Sequence, residues 1–207
     1  MQDDAKRPAT AMAKINAERF LTERGIQYSR QADGSLFVPN DIDLSNQGLT
    51  ALPDLSMVDV GREFYCDKNQ LTDLTGAPRS VQGAFNCSKN ALTSLTGAPQ
   101  GCLEFDCSHN QLTSLKGAPE QLSSFFCEGN KLTSLEHAPA VFTTLESDFG
   151  IYKSWQAVPE ELQVSAETRQ RLVEEAEAPI RAMEQAIRCA TILGTPIQVG
   201  RALRFRP

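Results

Sequence analysis

Phe85-Asn86-Cys87-Ser88-Lys89-Asn90-Ala91-Leu92-Thr93-Ser94-Leu95-Thr96-Gly97-Ala98-Pro99 is followed 20 residues later by Phe105-Asp106-Cys107-Ser108-His109-Asn110-Gln111-Leu112-Thr113-Ser114-Leu115-Lys116-Gly117-Ala118-Pro119. The same frame opens again at Phe64 and Phe125 and closes at Pro78 and Pro139. Its central Asn recurs as Asn69, Asn90, Asn110 and Asn130, 21 residues apart once and 20 apart twice. Looser copies flank these four. Ile42-Asp43-Leu44-Ser45-Asn46-Gln47 places Gln47 in the Asn slot, and Leu145, Ser147, Gly150, Tyr152, Trp155 and Pro159 each lie 20 residues after their counterparts. Self-similarity at a fixed period of this length marks a repeat architecture. One such unit cannot bury its own apolar face, so stability must come from stacking about six of them over residues 41–159.

Each slot has a physical task. Phe and Cys at alternate positions read as the inward side of a short strand, because side chains alternate across a strand with period 2. The Asn side chain can bond backbone groups at a turn that no neighbouring strand reaches. Repeated in register, these Asn residues form a ladder. The two Leu of Leu-Thr-Ser-Leu fill the space behind the strand, and Ala-Pro ends the segment because Pro cannot continue a hydrogen-bonded turn.

With Phe and Cys in the strand positions, the pattern resembles the leucine-rich repeat, L-x-x-L-x-L-x-x-N-x-L. Its 20-residue length is similar to the shortest class, found in secreted bacterial effectors. The resemblance implies an α/β repeat solenoid with a short parallel sheet of about six strands, and a bacterial, effector-like adaptor as one possible role.

Residues 1–40 read as an N-terminal helix and hairpin. Pro8 to Arg24 holds good helix formers, Met12, Ile15, Ala17, Phe20 and Leu21 supply an apolar face, and Gly25 stops it. Ile26–Tyr28 and Ser35–Val38 flank a turn at Ala32-Asp33-Gly34. Residues 160–207 read as a C-terminal helical cap, with one helix starting near Ser165 and another running from Pro179 to Gly194. They end in a basic tail that carries Arg201, Arg204 and Arg206 around Phe205.

Composition narrows the function. The chain has 207 residues, with 20 basic and 26 acidic side chains and a formal charge of -6. That balance argues against direct nucleic-acid binding. No apolar run has the length of a membrane span, so no membrane contact is expected. The acidic start Met1-Gln2-Asp3-Asp4 lacks the apolar run of a signal peptide, so a cytoplasmic protein is expected, with delivery into a host cell as the variant that the effector resemblance leaves open. Cys66, Cys87, Cys107 and Cys127 share one repeat slot. They are expected to be reduced and to pack as small hydrophobes. A straight column does not supply a tetrahedral metal site, so no metal and no cofactor is expected. Phosphate loops, His-Glu-x-x-His and nucleophile elbows are absent from the sequence, so no enzyme activity is expected.

The residues between the core slots carry the functional signal. Six, four and two positions before the Asn slot, the six copies read Asp41, Asp43, Ser45; Glu63, Tyr65, Asp67; Ala84, Asn86, Ser88; Glu104, Asp106, Ser108; Ser124, Phe126, Glu128; and Thr144, Glu146, Asp148. Nine of these 18 are acidic and none is basic. Like charges on neighbouring strands weaken a sheet, so the excess points to use. A binding module is expected, gripping a basic protein through a concave acidic face. Its contact residues are Asp43, Glu63, Tyr65, Asp67, Asn86, Glu104, Asp106, Phe126, Glu128 and Glu146, with the two aromatics as anchors. Two other roles fit the same face: an inhibitor that mimics nucleic-acid charge to block a DNA- or RNA-binding protein, and, less well, an enzyme using the carboxylates.

Overall fold

A computed structural model describes residues 6–164. Helix α1 (Lys6–Glu23) leads into strands β1 (Ser29–Arg30), β2 (Leu36–Val38), β3 (Ile42–Asp43), β4 (Val58–Val60), β5 (Phe64–Tyr65), β6 (Ser80–Val81), β7 (Ala84–Asn86), β8 (Glu104–Asp106), β9 (Ser124–Phe126), β10 (Thr144–Ser147) and β11 (Gly150–Tyr152). A 3-10 turn (Trp155–Ala157) and the single helical turn α2 (Glu160–Gln163) follow. The molecule is a β-solenoid of stacked coils about 20 residues long. Its main sheet runs β3-β5-β7-β8-β9-β10-β11, with every pairing parallel except the last.

The core reproduces the slot reading. Phe64, Phe85, Phe105 and Phe125 are fully buried and opposed across adjacent strands. Their rings form a column with centroids 5.2, 5.3 and 6.2 Å apart. Leu71, Leu74, Leu92, Leu95, Leu112 and Leu115 fill the space behind them. The Asn ladder closes each coil onto the one before. Asn110 Nδ2 donates to the carbonyls of Cys87 (3.1 Å), Cys107 (3.0 Å) and Ser108 (3.2 Å), and its Oδ1 accepts from Leu92 N–H at 2.9 Å. Asn90 and Asn130 repeat that set one coil earlier and one later, and Asn69 two coils earlier.

The turn before each ladder residue is left-handed. Asn46, Lys68, Lys89 and His109 have φ of 54–55° and Gly129 has φ of 65°. An L-residue there costs about 1–2 kcal/mol. The stack supports it, because the N–H groups of these four L-residues bond the next coil's carbonyls, Asp67, Ser88, Ser108 and Glu128. A second left-handed position falls at Gly97 (φ 89°), where a Cβ would meet Leu74 O at 2.5 Å. The Gly of Gly-Ala-Pro thus lets successive coils approach.

The four repeat thiols are buried. Sγ of Cys87 lies 3.2 Å from Asp106 O and Sγ of Cys107 lies 3.4 Å from Phe126 O, where each can donate to the next coil. Burial raises all four above the usual thiol range, with Cys127 pushed up to about 12 by burial and then by the nearby charges of Asp148 and Glu128. Since the thiolate is the nucleophile, these cysteines should label slowly with a thiol reagent under native conditions and rapidly in denaturant. Rapid native labelling of all four would overturn the inward register.

Three features depart from the sequence reading. The first is a second sheet, β1-β2-β4-β6, parallel except for its antiparallel β1–β2 hairpin. The hairpin around Asp33 forms, but its first strand is Ser29–Arg30 rather than Ile26–Tyr28. Helix α1 ends in a Schellman cap, with Gly25 N–H on Thr22 O and Ile26 N–H on Leu21 O, so Ile26 serves the helix terminus. The hairpin's second strand also starts the second sheet by pairing with β4.

The apolar face of α1 is the second departure. Ala17 and Leu21 are fully buried, with Phe20 against the same core, whereas Met12 and Ile15 are 58% and 59% exposed. At about 100° per residue, positions 12 and 15 fall on the side opposite 17 and 21.

The sixth coil is the third. After β10 the chain reverses into β11, antiparallel, with Ser147 opposite Gly150. Gly150 stands in the Asn slot and has no side-chain amide to bridge back, so the ladder stops and a hairpin covers the sheet edge. Trp155 then packs edge-on against Phe142 at 5.7 Å and donates to Pro139 O at 2.9 Å. The expected C-terminal helices and basic tail lie outside the described residues.

An ionic clamp ties the hairpin to the second sheet. Arg79 grips the Asp59 carboxylate with two nitrogens, reaches Asp33 Oδ2 at 2.9 Å, and donates to Ser35 Oγ at 3.1 Å. Hydrogen bonds from Ser35 and then Arg79 hold Asp33 well below the usual carboxylate range. Burial opposes this at Asp59, but the Arg79 and Ser80 bonds outweigh it and Asp59 is lowered as well. A depressed acid adds stability above its unfolded value near ~3.9, and that stability is lost as pH falls through the folded value. Amide exchange across β1 and β2 should therefore rise in strong acid before the Phe column opens. Simultaneous loss of both would refute the clamp's role. Among the described residues, no helix is long and apolar enough to cross a membrane.

Candidate functional site

The strands bring the outward positions into rows along the coil stack. One row crosses the whole main sheet as Asp43, Tyr65, Asn86, Asp106, Phe126, Glu146 and Ile151, each directly opposite the next. Beside it, Glu104 lies between Ala84 and Ser124, with Thr144 beyond. Glu63 immediately precedes β5, and Glu128 follows β9. Seven of the ten expected contact residues therefore lie in strands of one sheet, and Glu63, Asp67 and Glu128 flank it.

They do not all remain available. Asp43, Asn86 and Asp106 each accept the hydroxyl and the backbone N–H of the serine two residues on, namely Ser45, Ser88 and Ser108. These are Asx turns that lead each strand into its ladder turn. The Ser45 bonds hold Asp43 below its ordinary value. Asp67 is only 8% exposed and pairs with Lys68 at 3.2 Å. The position two before the Asn slot is thus half structural, since Ser88 and Ser108 are buried there as well. Asp41 accepts from Glu63 N–H and faces Arg62 at 3.6 Å, while Asp148 accepts from Gly129 N–H.

The carboxylates left for other work gather at the β8–β11 end. Glu104 is exposed and is surrounded by uncharged strand partners. Glu128 and Glu146 sit close enough to share a hydrogen bond. Burial, then the Glu146 charge and that bond, raise Glu128 above the usual carboxylate range, with His109 opposing at 3.8 Å. Between and beside them stand Phe126, half-buried, and Ile151, 60% exposed. Ile151 falls in none of the outward slots of a parallel sixth coil; the reversal into antiparallel β11 sets it opposite Glu146, and period 2 along β11 turns it onto this face.

The acidic columns also have basic neighbours that counting between core slots overlooks. Lys68 and His109 come from the left-handed turns, Arg62 from the opposite corner, and Lys153 donates to Thr144 Oγ1 at 3.0 Å. Basic groups thus lie at both ends of the face, Arg62 and Lys68 against Asp41 and Asp67, and His109 and Lys153 beside Glu128 and Thr144. A cavity of about 290 Å³ lies elsewhere, lined by Thr22, Gly25, Ile26, Gln27 and Tyr28, and no outer-face residue borders it. Among the described residues, no group of three or more His, Cys, Asp or Glu is placed to hold a metal ion. Comparison of the chain with protein-family models, curated proteins and solved structures returns no match.

Proposed function

We propose that this chain is a non-catalytic binding module that takes a basic protein partner on the outer face of its main sheet, and that its coils are of the leucine-rich type. The Asn ladder and the paired Leu columns support the repeat type. One observation carries the binding reading: Glu104 and Glu146, which close no turn, and Glu128, beside His109, flank the half-buried Phe126, and Glu146 stands directly opposite the exposed Ile151. An aromatic and an aliphatic anchor inside a charged rim is the composition of an interface hot spot. Opposed fields would steer encounter, and screening beyond ~8 Å at physiological ionic strength would weaken it.

The test uses a lysine-rich peptide titrated at low and high salt. Affinity should fall steeply with salt. Replacing Glu104 and Glu146 together by Lys should abolish binding while the circular dichroism spectrum stays that of the parent. These two are better choices than Asp106, whose loss would also release Ser108. Retained affinity in the folded double variant would refute the reading.

A further inference from the structure

Resting on that reading, we infer that the partner presents an α-helix, laid along the solenoid axis across β8 to β11, with cationic and apolar side chains alternating turn by turn along one face. The row beneath it reads Asp106, Phe126, Glu146, Ile151, an alternation of acid and apolar groups on four adjacent strands. Strands stand about 4.8 Å apart, so like groups recur every ~9.6 Å and the row is about 14 Å long.

A helix repeats its face every ~5.4 Å, through residues three or four apart. Four successive turns match the four strands with a drift of about 0.6 Å per step. An extended chain repeats its face every ~6.8 Å, a drift of about 2 Å per step, so its third facing residue is already displaced by about 4 Å. Edge pairing is a poor alternative. Glu146 O accepts from Cys127 N–H, so both backbone groups of Glu146 face β9, and β11 turns only Ile151 outward at its centre. One residue's amide pair is too little for an added strand.

Charge sets the order of groups on the helix. The flanking acids Glu104 and Glu128 widen the two acidic positions of the row, so cations belong over Asp106 and Glu146. Apolar side chains belong over Phe126 and Ile151, whose exposed surface is otherwise left in water.

The probe is an alanine-rich helical peptide of about 18 residues with lysine, leucine, lysine and leucine at the first, fifth, eighth and twelfth positions of one face. A second peptide of the same composition spreads these four around the helix. The patterned peptide should bind at least tenfold more tightly than its permuted form. Phe126→Ala and Ile151→Ser should each remove most of that advantage, and Glu120→Gln, away from the main sheet, should not. Equal binding of the two peptides, with both lost in the Glu104→Lys, Glu146→Lys variant, would overturn the helix inference and leave the acidic face standing. Failure of both peptides to bind the folded protein at low salt would overturn the two together.

Discussion

Asn110→Asp is expected to lower unfolding stability by about 3–5 kcal/mol, the largest effect of any single-atom exchange in the solenoid. The substitution keeps the shape of the side chain and replaces the donor Nδ2 with an acceptor oxygen. Three carbonyls, of Cys87, Cys107 and Ser108, now receive Nδ2, and the residue is 3% exposed. Each carbonyl keeps one other donor, Asn90 Nδ2 for Cys87, Asn130 Nδ2 for Cys107 and Lys89 N–H for Ser108, so the cost comes from setting a buried carboxylate against three carbonyl oxygens with no donor between them. Burial would raise the new acid's pKa above its unfolded value. The variant should therefore recover stability as pH falls toward and below that raised value, because the protonated form again offers one donor. Chemical denaturation at two pH values reads both effects. An unchanged midpoint would mean that the ladder contributes nothing and that the column of Phe rings alone holds the coils in register.

Phe105→Ala should cost roughly 3–5 kcal/mol as a large-to-small core change. Phe105 is fully buried between Phe85 at 5.3 Å and Phe125 at 6.2 Å, so its removal interrupts the column at its middle. Repeat proteins are held by neighbour contacts, and a break between the third and fourth coils can divide the cooperative unit. A shallower denaturation transition would report that division, and a lower midpoint alone would report simple cavity loss. A melting temperature equal to the parent's would contradict the register itself.

Much of the fold was legible because stacked coils make one local choice many times. Phe and Cys in alternation, with Asn three residues after the Cys, leave a single in-register solution. The strands and the ladder confirm it residue by residue. The second sheet was not legible, because its members are two or three residues long and only Leu36–Val38 and Val58–Val60 show the inward-outward-inward alternation. Later coils replace that strand with Gly101 to Leu103 and with Gln121 and Val141, which retain cross-coil bonds without a periodic pattern.

The outer face was legible as a set of positions but not as a set of available groups. Period 2 alone put Asp43, Tyr65, Asn86, Asp106, Phe126 and Glu146 on one side. That Asp43 and Asp106 close Asx turns, that Asp67 is buried against Lys68, and that Glu104, Glu128 and Glu146 are left over depends on which donors the turns bring near. Arg79 shows the same division. Nothing in its surroundings in the sequence announces a clamp, since Asp33 and Asp59 lie 46 and 20 residues away and meet it only when three coils stack. Side-chain period is a property of the backbone and can be read from the residues in order. Partnership across coils is a property of the stack, where the coil spacing brings together charges that the chain keeps far apart.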